Sequence, residues 1–178
     1  MAEHVRISIP ERVGARAETD YSTPVSDFGP LARDRIPIRS LRDGDLAALT
    51  AIDGRVSGRS RAEYLQRKMF EVLHESVRVS LVAELDGVVV GFIMARVDLG
   101  EFGRLEPAAV LDTLAVDPDY RGRGVGRALL TQLLANLTAL RVERILTEVE
   151  WTERDLLSFL GRCGFKPSSR LCFRQRPK

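Results

Sequence analysis

Asp117-Pro118-Asp119-Tyr120-Arg121-Gly122-Arg123-Gly124-Val125-Gly126, followed directly by Arg127-Ala128-Leu129-Leu130, decides how this chain reads. Three glycines at alternate positions leave room for a phosphate beside the backbone. An amphipathic helix starts at once, so its free N–H groups point back into the glycine turn. The mostly apolar run before it, residues 108–116, reads as a strand. Strand, glycine turn and helix together make a site for a doubly charged phosphate ligand. Spacing argues against two other phosphate loops. A dinucleotide fingerprint needs its glycines immediately after the strand, whereas here a Pro-containing turn intervenes and no GxGxxG occurs. A nucleoside triphosphate loop ends in Gly-Lys-Ser/Thr, and Arg127-Ala128 supplies neither the Lys nor the hydroxyl.

Outward from the loop, the spacing predicts a long helix over residues 124–140. Leu129, Leu130, Leu133, Leu134, Leu137 and Leu140 form its apolar stripe, which is core against a sheet and not a zipper. Residues 144–150 read as the next strand, with Ile145, Thr147 and Val149 on one face and Leu146, Glu148 and Glu150 on the other. A helix over 154–162 follows, started by Asp155 and ended by Gly164, and a last strand covers 170–175. Upstream, residues 77–85 and 88–97 form a hairpin about Asp86-Gly87. Gly91 inside it marks a bulge or a close backbone approach, and 99–107 is a loop. Earlier still come a short strand over 36–41, a helix over 45–52 capped by Asp43, breaks at Gly54 and Gly58, and a helix over 61–74 with Leu65, Met69, Val72 and Leu73 on its apolar face. Residues 1–35 are polar and broken by Pro10, Pro24, Gly29 and Pro30. They read as an irregular arm with a short strand at 5–9, and contact across a homodimer is one role open to it. Residues 36–178 make a single α/β domain with a mixed sheet.

The chain has 178 residues, enough for one domain with a real core. Its formal charge is +2, from 27 basic and 25 acidic residues. That balance argues against a nucleic-acid partner. Two cysteines, Cys163 and Cys172, and two histidines, His4 and His74, are too few for a metal site. No charged-then-apolar leader and no uncharged run of transmembrane length is read, so the expectation is a soluble, cytoplasmic protein without a membrane partner.

This organisation resembles the GNAT superfamily of acyl-coenzyme A dependent N-acetyltransferases. The family pattern Arg/Gln-x-x-Gly-x-Gly/Ala at the start of a helix is matched by Arg121-Gly122-Arg123-Gly124-Val125-Gly126, and Val116-Asp117-Pro118 matches a common lead-in. The likeness runs from about Ile36 to Gln175 and leaves the arm aside. It implies a GNAT-like α/β fold: a mixed, mostly antiparallel sheet flanked by helices, with a splayed central strand pair. It also implies acetyl-coenzyme A as co-substrate, with no metal. By resemblance, backbone N–H groups of Arg121, Gly122, Arg123, Gly124, Val125 and Gly126 hold the pyrophosphate, and Leu114, Ala115 and Val116 face the pantetheine arm. One departure stands out. Many members carry a Tyr four residues before the closing Gly-Phe, which protonates the leaving thiolate, and an Asn at the start of the preceding helix. Here the Tyr position is Leu160 beside Phe159, and residues 151–155 contain no Asn.

The implied activity is transfer of acetyl from acetyl-coenzyme A to a primary amine, on a small molecule or on a protein Lys or N-terminus, by direct attack. The alternative is an acyl-coenzyme A binding regulatory or scaffold module with little turnover. Amide formation needs a neutral amine, so a carboxylate base is expected. Glu106 has the best positional resemblance to a family Glu. Asp112 is the physical anomaly, a carboxylate in an apolar strand, with a buried hydrogen bond as its plain structural role. Glu148 lies on the acceptor side, where Glu150 and Trp151 are candidates for acceptor contacts.

Overall fold

The structure, a computed structural model, describes residues 36–75, 77–98, 107–168 and 175. The arm 1–35, Glu106 with most of the expected loop 99–107, Cys172 and nearly all of the expected last strand lie outside the described residues. The elements are β1 Ile38–Ser40, α1 Leu46–Ser57, α2 Ala62–Phe70, β2 Leu81–Leu85, β3 Val88–Asp98, β4 Ala108–Val116, α3 Val125–Ala139, β5 Arg144–Leu146 and α4 Arg154–Arg162. The sheet runs β1-β2-β3-β4-β5 in sequence order. Its first three pairings are antiparallel, and β4–β5 is parallel. The crossover through α3 makes the parallel pair possible, because a tight turn cannot join parallel strands. The residues predict the mixed sheet, and its mostly antiparallel character is what the resemblance implies.

Helices cover both faces. On one, Leu129, Leu130, Leu133 and Leu137 of α3 and Leu160 of α4 bury against Leu81, Ala83, Ile93, Ala95, Ala109 and Leu111. On the other, Leu49 and Ile52 of α1 and Leu65 and Met69 of α2 bury against Val82, Phe92, Met94 and Ala115. Several expected boundaries move. Gly54 does not break α1, which continues to Ser57 and ends at Gly58 in the left-handed conformation, φ +69°. One glycine in a helix costs only about 1 kcal/mol, so packing of Leu49 and Ile52 carries the helix through it. The helix expected over 61–74 is regular only to Phe70 and widens into a π turn at Glu71–Glu75. The strand expected over 144–150 pairs only through Leu146.

Two bulges shape the sheet. Ala83 pairs with Gly91 and Glu84 with Val89, leaving Val90 as the extra residue. Met94 pairs with Thr113 and Ala95 with Leu111, leaving Asp112 as the extra residue of β4. An extra residue flips which side chains face each layer. Hence Ala109 and Leu111 face α3, whereas beyond the bulge the odd-numbered Ala115 faces α1 and α2. Gly91 is also a close approach, since a Cβ there would lie 3.0 Å from Val125 Cγ1 and 3.1 Å from the Ala115 carbonyl oxygen. Gly91→Val is therefore expected to destabilise the domain by about 1–3 kcal/mol. Urea unfolding reads this directly, and an unchanged midpoint would show that the sheet yields without strain.

Candidate active site

β4 and β5 pair only from Ala108–Arg144 to Val110–Leu146. One more tie follows, as Thr147 Oγ1 donates to the Leu111 carbonyl at 3.0 Å. Beyond it the strands part, and a cleft of about 1100 Å³ opens between them. Its walls are residues 111–116 of β4, the glycine loop, residues 147–149, the head of α4, and the end of α1 with Arg59 and Arg61.

The backbone of β4 supplies polar groups to this cleft. The Asp117 N–H donates to the Val90 carbonyl at 2.9 Å, which fixes the β3 side of the strand. Backbone groups alternate along a strand, so Ala115 also points its N–H and C=O to β3. Leu114 and Val116 then turn theirs to the cleft, on the side that β5 has left.

The glycine loop closes one end of the cleft. Asp117 accepts from Asp119 N at 3.0 Å and starts a 3-10 turn, Pro118–Tyr120. Arg121 N–H is spent on Pro118 O at 3.3 Å. From Gly122 to Gly126 the amides have no such bond among the described residues; Ala128 is the first of the helix to find one, on Gly124 O at 2.9 Å. Gly122 at φ +74° and Gly124 at φ +85° hold the left-handed turns that aim these amides inward. Gly126 does a different job, because a Cβ there would touch the Phe159 ring at 3.5 Å and Val116 Cγ2 at 3.6 Å. The open amides, the start of the α3 dipole and the side chains of Arg121 and Arg127 make this end an anion cradle. Arg123 lies instead over the Tyr120 ring at 5.2 Å and is not part of the cleft wall.

Of the expected carboxylates, Asp112 is the most engaged. Arg96 Nη1 donates to Oδ1 at 2.5 Å and Lys68 Nζ to Oδ2 at 3.4 Å. Lys68 also donates to Glu71 Oε2 at 2.8 Å. Burial lowers the Lys68 pKa, but the Glu71 hydrogen bond and the Asp112 charge outweigh it and leave the pKa raised. Asp112 thus sits in a partly buried ion cluster with both oxygens in use. Glu148 lines the cleft, is exposed and has no ion pair among the described residues. Glu150 and Trp151 are exposed and lie off the cleft wall, Trp151 with 84% of its surface open. Leu160 is buried in the α3-side core and forms cleft floor beside Phe159, so neither offers a proton.

Sequence reading missed the α1 wall. Arg55 Nη1 donates to both oxygens of Asp117 at 2.7 Å, and its Nη2 donates to Asp119 at 2.7 Å. Asp53 is buried and takes two N–H groups from Arg61. The partners are 62, 64 and 8 residues apart, and no motif links them. Among the described residues, no group of three or more His, Cys, Asp or Glu is placed to hold a metal ion, and no helix is long and apolar enough to cross a membrane.

A splayed parallel pair beside an amide cradle defines the class of protein. The fold matches a coenzyme A complex of aminoglycoside N-acetyltransferase AAC(6')-Iy with a TM-score of 0.67 at 19% identity, covering 79% of this chain and 93% of that one. The profile of the acetyltransferase (GNAT) family matches residues 46–165, and the chain belongs to that family. A mycothiol acetyltransferase of Propionibacterium freudenreichii subsp. shermanii is 32% identical over 130 residues, 70% of this chain and 41% of the relative. An N-alpha-acetyltransferase of Sulfurisphaera tokodaii is 33% identical over 103 residues, 54% of this chain and 61% of the relative. The aligned stretch thus spans less than two thirds of either relative.

Proposed function

We propose that this chain transfers the acetyl group of acetyl-coenzyme A to a primary amine by direct attack. The observation that carries the reading is one cleft joining an amide-lined anion cradle to an unpaired strand edge. Pyrophosphate on the amides from Gly122 to Gly126 leaves the pantetheine arm to run along Leu114 and Val116, completing the edge that β5 abandons. The thioester then lies near Thr113. The amine nitrogen attacks the thioester carbon, the C–S bond breaks, and the thiolate leaves to take a proton from water, since Leu160 and Phe159 have none to give. Family membership and the relatives' acetyltransferase activities support the reaction class. A cytoplasmic location fits a coenzyme A thioester as donor, and the arm's homodimer role stays a proposal.

The attacking amine must first lose a proton. Asp112 is engaged by two cations, so we assign this task to Glu148, which stands open in the cleft. Glu148→Gln is expected to lower kcat about 100-fold near neutral pH while leaving acetyl-coenzyme A affinity in place. The deficit shrinks as pH rises and free amine accumulates. Unchanged kcat in the folded variant would move the assignment to Glu106. The reading as a whole is tested by thiol release from acetyl-coenzyme A across amines, polyamines, amino acids and peptides. Acetyl-coenzyme A binding with no release for any acceptor would leave a binding module instead.

A further inference from the structure

Arg61 is held in a manner that a loop staple alone does not require. It sits between α1 and α2 and forms part of the cleft wall. Its Nε and Nη2 both donate to Asp53, whose side chain is only 2% exposed. Its guanidinium also lies 5.3 Å from the centre of the Tyr64 ring. The residue's pKa is raised, through the Asp53 hydrogen bond first, and the charge of Glu153 at the head of α4 adds to it. The two walls are therefore within electrostatic reach of each other.

A guanidinium has five N–H groups. Asp53 uses two of them along one edge. The end-on edge, formed by Nη1 and the second N–H of Nη2, makes no hydrogen bond among the described residues. That edge is a fork with the spacing of a carboxylate. Asp53 and Tyr64 fix its direction beforehand, so binding there loses little side-chain entropy. The cleft wall also carries exposed carboxylates, Glu148 on the segment that follows β5 and Glu153 and Asp155 at the head of α4.

We propose that the acceptor is a zwitterion, an amine that also carries a carboxylate, with the carboxylate docked on the free edge of Arg61 and the amine turned toward Glu148. This rests on the acetyl-transfer reading and names its substrate class. The carboxylate passes through the reaction unchanged, while the ammonium gives one proton to Glu148, gains the acetyl group at the expense of the C–S bond, and releases a second proton to water, which protonates the departing thiolate. Arg61 is a specificity residue in this scheme, and Asp53 and Tyr64 are its positioning residues.

The test compares amino acids whose amine and carboxylate are one to five carbons apart with their carboxamides, as acceptors of acetyl from acetyl-coenzyme A. At least one acid is expected to exceed its carboxamide about tenfold or more in kcat/KM. The double variant Asp53→Asn with Arg61→Gln removes both charges together and leaves no unpaired buried ion. It is expected to erase that preference while acetyl-coenzyme A affinity holds. If this variant does not fold, Arg61→Lys keeps the charge, loses the fork and narrows the ratio. A purely structural Arg61 would lower both rates alike and leave the ratio intact, which would overturn the proposal. Equal or better turnover of carboxamides or polyamines would also overturn it. So would a tenfold loss of acetyl-coenzyme A affinity in the double variant, which would assign Arg61 to the donor. Calorimetry of the amino acids into coenzyme A-saturated protein separates the two readings. Binding that depends on Arg61 without turnover supports the zwitterion site and counts against acetyl transfer, whereas no binding and no turnover sinks the proposal.

Discussion

Gly124→Asp protein is expected to bind acetyl-coenzyme A at least about 100-fold more weakly than wild type, while still folding. The glycine sits at φ +85°, directly before α3, in the middle of the amide cradle. The nearest atom to an added Cβ is Ile36 Cδ1 at 4.0 Å, so there is space for a side chain. Asp tolerates the left-handed region better than most residues, and the backbone strain is about 1–2 kcal/mol. What the site does not tolerate is a second anion where the pyrophosphate should lie. Gly124→Asn carries nearly the same shape and strain without the charge, and the gap between the two variants isolates the electrostatic part. Calorimetric affinities equal for Asp, Asn and wild-type proteins would place the pyrophosphate elsewhere.

Asp112→Ala is expected to lower unfolding stability by about 3 kcal/mol. The carboxylate is 12% exposed and balances Arg96 and Lys68, themselves 29% and 19% exposed. Without it, Lys68 keeps Glu71 at 2.8 Å and Arg96 keeps the same carboxylate at 3.9 Å. The pH dependence has a definite sign. Lys68 has a raised pKa in the fold, so its share of the stability is present below 10.5 and is lost as pH climbs through the raised value. The difference between wild type and variant should accordingly narrow in strong alkali. Denaturant titrations at neutral and alkaline pH measure both points. An Asp112→Ala protein as stable as wild type but with kcat reduced would return Asp112 to the role of base.

Asp112 also shows where local reading stops. Period-two alternation identifies a carboxylate inside an apolar strand, and the energetic anomaly is legible there. Its partners lie on β3 and α2, 16 and 44 residues away, so their identity is not. Gly91 is similar. A glycine inside a strand signals a bulge or a close approach, and both occur, but only packing names Val125 and Ala115 as the reason. The expected strand 144–150 has good alternation to its end, yet it leaves the sheet after Leu146. Propensity favours an extended chain there and does not say whether that chain is paired.

By itself, the sequence determined the elements whose signals are local: the hairpin at Asp86-Gly87, the leucine stripe of α3, the limits of α4, and the glycine loop with its open amides. These follow from backbone sterics and hydrophobic period, which act over a few residues. Tertiary structure alone decided what the cleft is made of. It parted β4 from β5, enclosed Asp112 between two cations, left Glu148 open, tied Arg55 of α1 to Asp117, and brought Asp53 of α1 and Arg61 beyond it to the far wall. Those contacts join residues distant in the chain, and their strength depends on burial and orientation that exist only once the sheet and both helix layers have closed.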